Sequence, residues 1–166
     1  MSFPIDFTYF VTNIAGNVDI SWSILSEDWY ERCKELPFSR PDNGYLFWDI
    51  NRYLDDDIYS YFENPRNLEV LQQKLYLCDV DNGDKIFFDL SCPKPQKPIV
   101  YYSHDSSYEG FPRLAQSFES YIDNLLKIGL VGNEFWTIEP FIDKEYGGIN
   151  ANCAAALQWR KLIGLV

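Results

Sequence analysis

Histidine is nearly absent from this chain, cysteine is sparse and unpaired, and positive charge is in short supply; each shortage excludes something. The single histidine, His104, leaves no second imidazole for a metal centre, and Cys33, Cys78, Cys92 and Cys153 are too widely spread to form a CxxC pair. No structural zinc, other metal or cofactor is expected. Lys and Arg number 14 against 25 Asp and Glu, a formal net charge of -11. Nucleic acid and anionic membrane surfaces would be repelled at long range, whereas a basic protein partner would be attracted; acidity also serves plain solubility. Apolar runs are all shorter than a membrane span, and Met1 to Asp6 lacks the basic and apolar regions of a signal peptide, so a cytoplasmic protein with reduced thiols is expected. Internal repeats and low-complexity tracts are missing too.

Apolar surface is abundant. Hydrophobic residues are 46% of the chain and aromatics 17%, far above what a disordered chain carries. With 166 residues, the expectation is one domain, spanning 1–166, that buries roughly 70% of its unfolded surface. Phe7 to Ile14 suits a short helix, and the alternation from Asn17 to Ile24 a half-buried strand. Ser26 caps a helix with Glu27 and Asp28 in its first turn, ending before Pro37. Tyr45 to Trp48 reads as a strand. From Asn51, the recurrence of Leu54, Ile58, Tyr61 and Phe62 predicts a helix ending before Pro65.

Leu75–Val80 and Lys85–Leu90 flank Asp81-Asn82-Gly83-Asp84, where Asn-Gly tolerates the positive φ of a tight hairpin turn. Three prolines between Cys92 and Pro98 make a loop. The continuous apolar run Ile99 to Ser103 predicts a central strand covered on both faces. Ser117 caps an amphipathic helix with Phe118, Tyr121, Ile122 and Leu125 on one stripe, Lys127 in the last turn and Gly129 as the stop. A helix over Glu134–Ile142, a break at Gly147-Gly148 and an Ala-rich helix restarting from Asn150 complete the chain. Strands in the middle and helices in the last third argue for an α+β fold.

Three groups invite a chemical reading. Ser103-His104-Asp105, with Glu109 nearby, suggests a general base oriented by a carboxylate and hence a small hydrolase. However, neighbours on a strand point to opposite faces, and no Gly-x-Ser-x-Gly elbow occurs, so no catalytic residue is assigned. Asp79, Asp81 and Asp84 imitate a calcium loop, but positions six and twelve from Asp79 hold Asp84 and Leu90 where Gly and a carboxylate are needed. Asp55, Asp56 and Asp57, with Tyr53 and Tyr59 beside them, form either a solvated helix face or an acidic docking patch with aromatic anchors for a basic partner.

Between about residues 14 and 141, three stretches resemble the SMI1/KNR4-like (SUKH) superfamily. Asn82-Gly83-Asp84 leading to Ile86 and Asp89 is similar to its Gly-Asp-x-Ile-x-x-Asp strand pair. Pro98 to Asp105 is similar to its strand with a trailing His104-Asp105. Leu114-Ala115-Gln116-Ser117-Phe118 through Ile122 is similar to its helix start, with Gly129 to Trp136 in register behind it. The resemblance implies a mixed, mainly antiparallel sheet with helices packed around it, followed by a helical extension from about 142. It makes Gly83, Asp84, Asp89, His104, Asp105, Ser117 and Phe118 structural motif residues. It also implies a non-enzymatic immunity protein that binds a basic, nuclease-like toxin, or alternatively an adaptor in cell-wall or growth control.

Overall fold

Pro4 pre-sets the backbone for a first helix, α1 (Ile5–Asn13), which buries Phe7 completely between Phe88 and Phe118, with ring centroids 5.1 and 4.9 Å away. In the computed structural model the described residues are 3–24, 26–38, 42–51, 71–104, 110–132 and 134–166. Strand β1 (Asn17–Ser23) pairs antiparallel with β2 (Asn43–Asp49) from Asn17 opposite Asp49 to Ser23 opposite Asn43. The period-two pattern drives Leu46 and Trp48 inward. Between the strands, α2 (Glu27–Arg32) begins where Ser26 Oγ accepts the Trp29 N–H, as expected of the cap, and buries Trp29. The helix expected from Asn51 to Pro65 falls almost wholly outside the described residues.

The hairpin forms as its turn chemistry predicts: β3 (Lys74–Asp79) and β4 (Lys85–Asp89) flank a turn in which Gly83 takes a φ of 93°. Strand β5 (Ile99–Tyr102) follows, then β6 (Arg113–Ala115), giving a four-stranded sheet in the order β3-β4-β5-β6. The apolar run on β5 is covered on both faces. Ile99 and Tyr101 enter the main core, while Val100 packs with Leu71, Tyr76 and Phe87 on the opposite side. Every pairing among the described strands is antiparallel, so no parallel component of the mixed sheet occurs there. Leu114 and Ala115, grouped in the sequence with the start of a helix, instead form β6, because the residues ahead of a capping serine are extended.

Helix α3 (Phe118–Lys127) has a reciprocal cap: Ser117 Oγ accepts the Ser120 N–H and Ser120 Oγ accepts the Ser117 N–H, both at 3.1 Å. Its stop is Gly129, at a φ of 70°. The helix expected over Glu134–Ile142 is cut to one turn, α4 (Phe135–Ile138), continued by a 3-10 turn at Glu139–Phe141. Pro140 explains this, since it removes a backbone donor and crowds the preceding turn. At Gly147-Gly148 there is a small hairpin in place of a simple break: β7 (Ile142–Asp143) pairs with β8 (Gly148–Ile149). Helix α5 (Ala154–Leu162) then starts four residues after Asn150, where Cys153 Sγ accepts the Ala156 N–H. The segment beyond about 142 belongs to the core: Ile149, Ala151, Ala156 and Trp159 are buried with Phe7, Trp48 and Phe118.

Candidate functional site

The hairpin turn places Asp84 at the base of β4, and the chain folds a cluster of donors around it. Its side chain is 4% exposed. Oδ2 accepts from Tyr101 Oη at 2.5 Å and Asn82 Nδ2 at 2.9 Å; Oδ1 accepts from the His104 backbone N–H at 2.8 Å and His104 Nδ1 at 2.7 Å. Burial raises the Asp84 pKa, but the bonds from Tyr101, from the His104 backbone and ring, and from Asn82 outweigh it, leaving the carboxyl below its ordinary value. Burial, then the bond to Asp84, push the Tyr101 hydroxyl well up. The same hydroxyl accepts the Phe135 N–H at 3.1 Å, so the cluster ties the hairpin, β5 and α4 together.

The imidazole of His104 is thus oriented by a carboxylate 20 residues away in sequence, Asp84. Its side chain is 52% exposed and lies over Gly83, whose missing Cβ would stand 3.7 Å from Nδ1. His104 and Asp84 both stood out in the sequence, but their pairing depends on β4 and β5 being neighbours, which no local signal carries. Asp84 has its lone pairs taken by turn and strand donors, the pattern of a structural hub.

Asp89, Ser117 and Phe118 also have structural partners. Asp89 accepts from Lys74 at 2.9 Å and from the Ser91 hydroxyl and N–H; burial opposes its ionisation, yet these partners hold its pKa below the usual value. Ser117 caps α3, and Phe118 is a core ring against Phe7 and Trp48. Tyr53, Asp55, Asp56, Asp57, Tyr59 and Asp105 lie outside the described residues. Among the described residues, no group of three or more His, Cys, Asp or Glu side chains is placed to hold a metal ion, and no helix is long and apolar enough to cross a membrane.

A second feature was only partly visible from sequence. Helix α1 packs against α3, and beside their contact lies an open groove of about 800 Å³ lined by Ile5, Asp6, Tyr9, Phe10, Ile122 and Leu126, among others. The sequence signal was there in part: α1 carries apolar side chains around most of its circumference, more than one buried face can use. Set against known protein families, curated proteins and solved structures, the chain matches none.

Proposed function

We propose that this chain acts by binding another protein, without chemistry of its own, and that it serves as an immunity protein occluding a basic, nuclease-like toxin domain. The observation that carries this reading is the charge distribution. Carboxylates outnumber cations 25 to 14 in the whole chain. In addition, Lys34, Lys74, Lys85 and Lys127 each sit within 3 Å of a carboxylate, at Glu31, Asp89, Asp79 and Asp123. Their charge is spent locally, and the acidic excess acts outward. Such a field steers a cationic partner, raising association rates roughly 10 to 1,000-fold at low salt, and a covering acidic surface competes with phosphate for the partner's basic groove.

The structural role of Asp84 supports a protein without a reacting centre: its partners brace a hairpin against β5 and α4. The test is capture of partners by the tagged chain from a lysate of its source organism at low and high salt, followed by nuclease assays with and without the chain. One basic protein held one-to-one, with its activity lost in the complex, is the expected outcome, and His104→Ala should inhibit equally well. Several weak partners released by modest salt would replace immunity with the regulatory adaptor role.

A further inference from the structure

We propose that the groove between α1 and α3 is the docking site for a cationic amphipathic helix presented by a partner protein. This rests on the protein-binding reading above and names the surface and the partner's chemistry.

The groove gathers apolar surface that the fold itself does not use. Ile5, Tyr9, Ile14 and Leu126 are 63%, 65%, 63% and 54% exposed, and all four line it. Ile5 and Tyr9 stand one turn apart on the outer side of α1, while Phe7 on the opposite side is fully buried. Leu126 faces them from α3, and Phe10, Phe118 and Ile122 make the floor, with Phe10 and Phe118 in edge contact at 5.5 Å.

The rim decides the occupant. The charged residues that line the groove are Asp6, Glu119 and Asp123, with no lysine, arginine or histidine among its lining residues; Lys127 beside the groove pairs with Asp123 at 2.6 Å, so the rim's outward charge is carried by Glu119 and Asp6. Asp6 is fixed in place because its Oδ2 accepts the Phe118 and Glu119 N–H groups at 2.8 and 3.3 Å, capping α3 from across the fold. An apolar trough with an anionic rim complements a helix with an apolar stripe flanked by Lys and Arg. The walls are helices, whose backbone groups are bonded internally, so they offer no ladder to an incoming strand; recognition must come from side chains. A second copy of this chain would bring another acidic rim and -11 charge against the first, which disfavours self-association.

The experiment uses the full chain and a fluorescein-labelled peptide of about 14 residues, near four helical turns, with leucines along one face and Lys and Arg on the flanks, read by anisotropy. One saturable site is expected. Binding should weaken at least ~10-fold in Tyr9→Ser/Leu126→Ser and in Glu119→Gln/Asp123→Asn. The four positions are exposed, so circular dichroism melts should stay close to the parent. Asp81→Asn/Glu145→Gln removes the same charge elsewhere and should change affinity by less than about 2-fold. Equal weakening by the two charge pairs, equal binding of a peptide with serine in place of leucine, or a dimer of the chain that the peptide dissociates would overturn the proposal. If groove variants still capture the protein partner with full affinity, the groove fails and the protein-binding reading survives. If the peptide binds in the groove as expected but no captured protein loses activity, immunity fails and the groove stands.

Discussion

Asp84 shows how much one side chain can carry. Asp84→Asn keeps the shape but removes the charge that organises Tyr101, His104 and Asn82, and it sets one amide N–H₂ against their donors. A loss of about 2 to 4 kcal/mol is expected, measured by urea unfolding at pH 7. The pH dependence has a definite sign. Because the folded-state pKa of Asp84 is lowered, its stabilisation is fully present above the unfolded value and is lost as pH falls through and below about 4. Asp89, lowered likewise, acts in the same direction. Urea midpoints from pH 7 to pH 3 should therefore fall more steeply in the parent than in Asp84→Asn. Gly44 sits where no side chain fits. A Cβ there would lie 2.2 Å from both the Leu130 carbonyl oxygen and Trp22 Nε1, in a strand that has no room to retreat. Gly44→Ala is expected to cost at least ~1 to 3 kcal/mol, read from the thermal midpoint.

Among the elements, helix starts were legible because capping is local chemistry. Ser26 and Ser117 sit at their predicted caps, and the Gly83 turn joins the two predicted strands. The helix expected at 134–142 is cut short because Pro140 falls inside it. At α5 the cap is a cysteine, whose Sγ accepts the Ala156 N–H at 3.5 Å. A serine oxygen is a better acceptor at that position, so Cys153→Ser should raise stability by about 0.5 kcal/mol, seen as a small increase in Tm. The groove belongs to this scale as well. The short helix α1 was readable, whereas its neighbour across the groove was not, since α1 and α3 are more than 100 residues apart.

For the molecule as a whole, the last third closes the core. Trp159 is fully buried, donates from Nε1 to the Ile128 carbonyl at 2.8 Å and meets Trp29 edge-on at 5.7 Å. Trp159→Ala removes a large ring and leaves that carbonyl without its donor. About 3 to 5 kcal/mol should be lost, with a lower urea midpoint and weaker tryptophan burial in fluorescence. The acidic excess acts at this scale too, through a long-range field that salt screens beyond about 10 Å.

The α+β class, the hairpin, the central strand, both serine caps and the acidic character were legible in residue order alone, because propensity, period, turn chemistry and charge are properties of short stretches or sums over the chain. Tertiary structure alone decided that Asp84 orients His104, that β7 and β8 pair, that Trp159 closes the core and that α1 and α3 bound an acid-rimmed apolar groove. Each of these depends on which distant segments become neighbours, which is settled by packing the whole core at once and not by any local preference.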